Sequence, residues 1–180
     1  MIAAVSLRLL YDRPGRRTAL GKVVITAPNH ERTWAMAART GSAIWTGDLQ
    51  DGSGRLVVGP QRWEADYSFR SRFTDDAVGS TNPEELLAAA HASCYAMAFS
   101  HALSTAGNPP ERLHVTSVVS LNPKEGGGVE VTDSALQVSG SVPGLDQAGF
   151  QEAAEAAEQG CPISNAIRNN VAITVTATLD

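Results

Sequence analysis

The chain has few cysteines, few aromatic side chains and little positive charge. It contains 2 cysteines in 180 residues, which are too few for a disulfide scaffold, and aromatic residues make up only 6%. Its 14 lysines and arginines stand against 19 acidic residues, giving a formal net charge of -5, which argues against nucleic-acid binding. No run of about 18 consecutive apolar residues is present, so the sequence predicts no transmembrane helix.

The first 38 residues differ from the rest in charge and pattern. They hold 6 of the 14 basic residues and 2 of the 19 acidic ones. The remaining residues therefore contain 8 basic and 17 acidic side chains. They lack clear periodicity, and Met36 comes just before the patterned sequence begins. We therefore predict that residues 1–38 lie outside the fold, as a disordered or transit-like extension or as the product of an upstream start. Residues 39–180 are predicted to form one domain, and the lack of a clear secretory signal favours a cytoplasmic location.

From residue 39 onward, strand and helix patterns are mixed without a regular alternation. Strand patterns occur at 42–46, 55–58, 63–69, 114–121, 129–142 and 171–179. Helix patterns follow Gly79-Ser80 as far as Gly107, span 146–159, and start again at Cys161-Pro162. The segment 124–128 is predicted to be the turn of a β-hairpin. Runs of strands separated from two substantial helices predict an α+β fold, with helices packed on a sheet.

The two cysteines have different local settings. Cys94 lies in a long apolar helical run, whereas Cys161 stands between a glycine and a proline at a helix start. Free cysteine is often just a small buried hydrophobe, but the pair would form a two-thiol redox centre if the fold brought it together. Cys94 lies about ten residues into its helix and gains little from the helix dipole. Local physics therefore favours Cys161 as the attacking thiolate.

Two arginines and a histidine are further candidates. Strand alternation would place Arg70 and Arg72 on one face, opposite Phe69 and Phe73. Both would ordinarily be solvated, or one could hold a thiolate and a peroxide oxygen. His91, three residues before Cys94, could be a core histidine, a base or half of a His-x-x-Cys metal site, although zinc would need two further ligands.

The entry to the first helix is explained by capping. Thr81 and Asn82 are good N-cap residues, and Pro83 fits the first turn. Glu84 or Glu85 can complete a capping box and interact with the positive end of the helix dipole. The rest of this helix is apolar nearly all round, which indicates a core helix.

Three motifs, at 81–86 (TNPEEL), 89–94 (AAHASC) and 160–164 (GCPIS), resemble those of the OsmC/Ohr family of osmotically inducible and organic-hydroperoxide-resistance proteins. The resemblance runs from about residue 41 to 179 and includes WTGD at 45–48 and PGLD at 143–146. It implies an intertwined homodimer of α+β subunits, with antiparallel sheets around a long central helix that carries one cysteine. It also implies that the chemistry uses no metal and no other cofactor.

The resemblance also assigns roles to individual residues. Cys94 matches the peroxide-attacking cysteine, Cys161 the resolving cysteine, and Glu84 the acidic partner of a catalytic arginine. That arginine precedes the TNP motif in the OsmC branch, which this chain resembles more closely. Arg72 is the candidate, with Arg70 as the alternative because the spacing is about two residues longer than usual. An arginine beside Cys94 would stabilise its thiolate directly. We therefore expect Cys94, as the resemblance implies, and not Cys161 to attack the peroxide.

The implied function is reduction of organic hydroperoxides and hydrogen peroxide in stress defence. The reaction would pass through a Cys94 sulfenate and a Cys94–Cys161 disulfide, which an external dithiol reduces. The alternative is a non-enzymatic, stress-induced binding protein with structural cysteines. No nucleic-acid or membrane partner is expected. The helix also offers an apolar wall that would suit alkyl peroxides, formed by Leu86, Leu87, Met97 and Phe99.

The helix geometry adds one further expectation. If residues 84 to 94 form one unbroken helix, Glu84 lies about 15 Å from Cys94 along the axis. Arg72 and Glu84 of one subunit would then face Cys94 and Cys161 of the other, in a site shared across a twofold interface.

Overall fold

The computed structural model describes residues 37–60, 63–74 and 79–180, and residues 39–180 form one compact unit. The predicted extension lies outside the described residues apart from positions 37 and 38, so it stays a prediction. The described elements, in chain order, are β1 (Gly41–Thr46), β2 (Ser53–Val58), β3 (Trp63–Tyr67), β4 (Ser80–Thr81), α1 (Pro83–Thr105), β5 (Arg112–Pro123), β6 (Val129–Ser141), α2 (Gln147–Glu158), α3 (Pro162–Ile167) and β7 (Ala172–Leu179). The α+β fold expected from the sequence is confirmed.

The strands form two sheets. One has the order β1-β2-β3-β4 and the other β5-β6-β7. Pairing is antiparallel within β1–β2–β3 and between β5 and β6, but β4 is parallel to β3 and β7 is parallel to β6. The expectation of antiparallel sheets therefore fails at these two strands. For β7 the reason is the crossover through α2 and α3, which returns the chain to the same end of the sheet.

Helix α1 begins as the sequence predicts. The Asn82 side chain accepts a hydrogen bond of 2.8 Å from the Glu85 backbone N–H, and Pro83 opens the first turn. The Glu85 carboxylate in turn accepts a bond of 2.7 Å from the Thr81 hydroxyl. The Asn82 side chain satisfies a backbone N–H that has no partner within the helix, and this fixes the residue at which α1 begins.

One face of α1 forms the core. His91, Tyr95, Phe99 and Leu103 are buried at four-residue spacing. The Phe99 ring contacts those of Tyr95 and Phe150, with centroids 5.8 and 5.2 Å apart. The helix packs mainly against β5 and α2. By length and composition α1 could also cross a membrane, but core helices meet the same test.

Part of α1 outside the buried face is exposed within the single chain. Met97 is 68% exposed, and apolar side chains of the first sheet are exposed as well, including Ile44, Val58 and Trp63. Contiguous exposed apolar patches in folded proteins commonly mark interaction or ligand-binding surfaces.

Candidate active site

Arg72 and Glu84 form a two-point ion pair. The Arg72 Nη2 lies 2.6 Å from Glu84 Oε1, and its Nε donates to Oε2 at 3.2 Å. The side chains are 25% and 11% exposed, so the pair is partly screened from water. The Glu84 hydrogen bond raises the pKa of the Arg72 guanidinium, which stays charged. The guanidinium and the carboxylate therefore form a bidentate pair, in which two nitrogens face two oxygens.

A short 3-10 turn, Arg70–Arg72, positions this arginine. The hydroxyl of Ser71, a buried residue, donates to the Thr81 backbone carbonyl at 2.9 Å, and the Asn82 side chain donates to the Ser71 carbonyl at 3.0 Å. The turn is thereby tied to the first residues of α1, so Arg72 is held above Glu84. Asn82 thus caps α1 and anchors the arginine turn at the same time.

The predicted strand through Arg70 and Arg72 is wrong. Strand β3 ends at Tyr67, and the turn sends the two arginine side chains into different surroundings. Arg70 is exposed, whereas Arg72 is partly buried. The rings of Phe69 and Phe73 contact each other edge to face at 5.3 Å. Of the two candidate arginines, the structure places Arg72 against Glu84.

An apolar pocket of about 270 Å³ opens beside Arg72. Its lining residues are Trp45, Leu49, Tyr67, Ser68, Phe69, Arg72 and Pro83. The Trp45 and Tyr67 rings lie 5.6 Å apart. The pocket combines one cation with mostly apolar walls, which suits a small ligand that has a polar atom at one end and a hydrocarbon group at the other.

Two glycines make room for the pocket aromatics. A Cβ on Gly54 would stand 2.4 Å from the Tyr67 ring, and a Cβ on Gly52 would stand 2.8 Å from Trp45 and closer still to backbone. The sequence did not predict this pocket. A glycine within a strand and opposite aromatic residues can mark such a close approach, and Gly54 on β2 pairs with Trp45 on one side and Tyr67 on the other.

The two cysteines meet where α1 passes the start of α3. Both are free thiols; Cys161 is 0% exposed, and Cys94 is partly exposed. Burial raises the pKa of the Cys94 thiol. The neighbouring Cys161 thiol also raises this pKa, whereas the backbone N–H of Ile163 hydrogen-bonds the Cys94 sulfur and lowers it. The fold therefore brings together two thiols that lie 67 positions apart in the chain.

Cys161 stands at the start of α3, as the sequence predicts. Cys161 is the N-cap residue of α3, but its side chain makes no capping hydrogen bond. The backbone of Ile163, in the first turn of this helix, lowers the pKa of Cys94, but burial raises it more. Which of the two thiols attacks therefore stays a prediction.

His91 is a fully buried core histidine. Its Nδ1 lies 2.7 Å from the Ser134 hydroxyl and its Nε2 lies 2.8 Å from the Ser164 hydroxyl. Burial lowers the pKa of the imidazole, which favours the neutral form. Both ring nitrogens are occupied, which leaves neither free to bind a metal as a His-x-x-Cys site requires. Within the described ranges, no cluster of three or more metal-binding side chains occurs.

The site residues form two groups within one chain. Arg72 lies with Glu84, and Cys94 lies with Cys161. Because α1 is continuous, about 15 Å of helix axis separates Glu84 from Cys94.

The predicted apolar wall does not form. Phe99 is buried in the core, whereas Met97 points outward and is 68% exposed. Residues two apart on a helix point in clearly different directions, and only one of these two faces the core. The apolar pocket of the structure lies instead at Arg72. It is lined by residues that precede α1 and by Pro83, the first residue of α1.

Comparisons with known proteins agree with this architecture. The family model described as OsmC-like protein matches residues 74–176. Peroxiredoxin OsmC of Escherichia coli is 36% identical over 140 residues, covering 75% of this chain and 93% of that protein. An organic hydroperoxide resistance protein of Xanthomonas axonopodis pv. citri is 32% identical over 124 residues, which is 68% of this chain and 84% of the relative.

A solved structure extends the similarity to the fold. The crystal structure of an organic hydroperoxide resistance protein OsmC from Legionella pneumophila superposes with a TM-score of 0.62 at 28% identity. The match covers 79% of this chain and 99% of the Legionella chain. The two sheets and the central helix are therefore shared over nearly the whole of that protein.

Proposed function

The chain belongs to the OsmC-like family, and on this basis we propose that it is a cysteine-based hydroperoxide reductase. The observation that carries the proposal is the meeting of Cys94 and Cys161, with Cys94 partly exposed and touched by a backbone N–H. Its named relatives are a peroxiredoxin and an organic hydroperoxide resistance protein. These names support a peroxide-related stress function.

The first step uses the Cys94 thiolate. Its sulfur attacks the outer oxygen of a hydroperoxide, so that an S–O bond forms while the O–O bond breaks. The alkoxide that leaves takes a proton and becomes the alcohol, and Cys94 is left as a sulfenic acid. The Ile163 N–H stabilises the thiolate before the attack.

The second step uses Cys161. Its thiolate attacks the Cys94 sulfur, an S–S bond forms, and hydroxide leaves and is protonated to water. An external dithiol then reduces the disulfide by exchange and is itself oxidised to a disulfide. The proposed chemistry uses thiols throughout and calls for no metal or other cofactor.

Arg72 supplies positive charge for the peroxide. The guanidinium lines an apolar pocket of about 270 Å³ and is held in place by Glu84. In this proposal the peroxide oxygens lie at the guanidinium and the hydrocarbon group lies among Trp45, Leu49 and Tyr67. Organic hydroperoxides are therefore the proposed substrates, with hydrogen peroxide as a smaller alternative.

The active form is proposed to be a homodimer. The exposed apolar side of α1 and of the first sheet would be covered by a second copy. A twofold arrangement that places Arg72 and Glu84 of one subunit beside Cys94 and Cys161 of its partner would create two equivalent sites.

Thiol titration tests the reaction. One equivalent of cumene hydroperoxide per chain should remove both free thiols and yield cumyl alcohol, and a dithiol should restore them. Cys94→Ser should consume no peroxide, while Cys161→Ser should complete one turnover and leave a sulfenic acid that dimedone traps. Unchanged thiol content in the wild-type protein would mean that the cysteines are structural, as in a non-enzymatic binding protein.

A further inference from the structure

A buried polar cluster lies beside the thiols and takes no part in the proposed reaction. It joins His91 on α1 to Ser134 on β6 and to Ser164 on α3, at 2.7 and 2.8 Å. Ser117 on β5 extends it, with its hydroxyl 3.0 Å from that of Ser134. His91, Ser134 and Ser164 are each 0% exposed.

Such a cluster is not needed for packing alone. Burying an imidazole and hydroxyl groups costs free energy that their mutual hydrogen bonds only offset, whereas apolar residues of similar volume would fill the same space without that cost. A fully bonded polar cluster instead fixes one relative placement of the elements that it joins. Here those elements are α1, β6 and α3.

The bond to Ser164 joins the two helices that carry the cysteines. His91 lies one turn before Cys94 on α1, and Ser164 lies in the first turn of α3, three residues after Cys161. Two further side-chain bonds of α3 and its C-cap residue run to α2 instead. Asn165 donates to the Gln159 carbonyl at 3.2 Å, and Arg168 pairs with Glu158 at 2.8 Å, so both hold α3 to the end of α2.

We propose that His91 is a positioning residue for the thiol chemistry: through Ser164, it holds the first turn of α3 against α1, so that Cys161 stays beside Cys94. The catalytic meaning of this role rests on the proposed peroxidase function, but its effect on the Cys94 thiolate does not. The buried imidazole acts in its neutral form, as a hydrogen-bonding bridge.

Two serine variants separate positioning from general stability. Ser164→Ala and Ser134→Ala each remove one buried hydroxyl bonded to the same imidazole, but only the first releases α3. The measurement is the alkylation rate of Cys94 by iodoacetamide as a function of pH, followed on the Cys94 peptide by mass spectrometry in the full chain. Far-UV circular dichroism and a thermal melt report the folding of each variant.

Ser164→Ala should shift the apparent pKa of Cys94 by about one unit, because α3 supplies both the Cys161 thiol and the Ile163 backbone that act on the Cys94 thiol. Alkylation at neutral pH should change by about tenfold, since it follows the thiolate fraction. Ser134→Ala should leave the pH profile of Cys94 in place, even if its melting temperature falls as much.

A second pair keeps the test decisive if a serine variant fails to fold. The amide of His91→Gln can reach the position of Nε2 and retain the bond to Ser164, whereas that of His91→Asn reaches only the Nδ1 side, toward Ser134. The glutamine variant should keep the wild-type profile, and the asparagine variant should shift it as Ser164→Ala does.

Equal shifts within either pair, or no shift in Ser164→Ala and His91→Asn, would overturn the proposal and leave His91 as a core residue only. The readout is alkylation and not peroxide turnover. A wild-type protein without peroxidase activity that still shows the predicted shifts would therefore refute the proposed function alone.

Discussion

Glu84 and Cys94 lie on one unbroken helix, α1, and about 15 Å of its axis separates them. Since Glu84 holds Arg72, the guanidinium is kept at the start of the helix, while the thiols lie near its middle. A cation must approach within about 4–6 Å to stabilise a thiolate strongly. Within one chain this ion pair therefore does not serve this thiol by direct contact.

Mixing two inactive variants tests whether the site is shared between subunits. Cys94→Ser keeps Arg72, and Arg72→Ala keeps both cysteines, so a heterodimer would contain one complete site if the site spans the twofold interface. With free subunit exchange at equal amounts, about a quarter of the wild-type activity per chain should return. Exchange is verified by native mass spectrometry. Verified heterodimers without activity would assign a complete site to each subunit.

Arg72→Ala should lower kcat/KM for cumene hydroperoxide by about 100-fold or more, because a positioned cation that stabilises developing charge contributes on this scale. Arg70→Ala is the matched control, since Arg70 lies in the same 3-10 turn but is exposed. The control should retain activity within about twofold, as exposed arginines usually contribute little. Equal losses in the two variants would remove Arg72 from its proposed role.

Leu49→Ala should weaken selection for bulky peroxides. Leu49 is 57% exposed and lines the pocket at Arg72, so truncation removes apolar contact while the core stays intact. KM for cumene hydroperoxide should rise by about three- to tenfold, in line with about 0.7 to 1.4 kcal/mol of lost apolar contact, and kinetics with hydrogen peroxide should not change. Val129→Ala, on an exposed strand residue outside the pocket, serves as the control. A parallel loss with both peroxides would show that the pocket does not bind the hydrocarbon group.

Local signals in the sequence predicted α1 and its start well. Capping depends on residues within one turn, and Asn82, Pro83 and Glu85 take the places that their chemistry favours. The helices and the long hairpin strands likewise follow from periodicity and from glycine-rich turns, which act over a few residues. The same capping argument was incomplete for Glu84, because its partner, Arg72, lies outside the helix.

Features that depend on contacts between distant residues were not predicted. The turn at Arg70–Arg72 is held by bonds from Ser71 to Thr81 and from Asn82 to Ser71, which no local pattern reveals. The hydrogen bond between His91 and Ser164 likewise joins distant parts of the chain. Pairing of the cysteines came from the family resemblance, since their spacing alone does not indicate that they meet.

Stability should decrease on acidification because of His91. Burial lowers the pKa of this imidazole below its ordinary value of 6.5. As the pH falls below that value, the unfolded chain binds a proton that the folded chain does not, so the folded state loses stability. The melting temperature of the wild type should therefore drop more between pH 7 and about pH 5 than that of His91→Gln, which has no such group. Identical pH dependence in the two proteins would contradict a neutral buried His91.

The reductant should attack Cys94 rather than Cys161. In the thiol form, Cys161 is 0% exposed, whereas Cys94 is partly exposed, so an external thiolate reaches the Cys94 sulfur first. Exchange then forms a mixed disulfide on Cys94 and releases Cys161 as the leaving thiolate.

Oxidised protein treated briefly with glutathione, quenched in acid, alkylated and digested should therefore carry glutathione on the Cys94 peptide and an alkyl label on the Cys161 peptide. The same treatment in urea provides the control, because unfolding exposes both sulfurs and should distribute glutathione over both peptides. Glutathione found mainly on Cys161 in the folded protein would mean that α3 opens before reduction, since only such a movement brings that buried sulfur to the solvent.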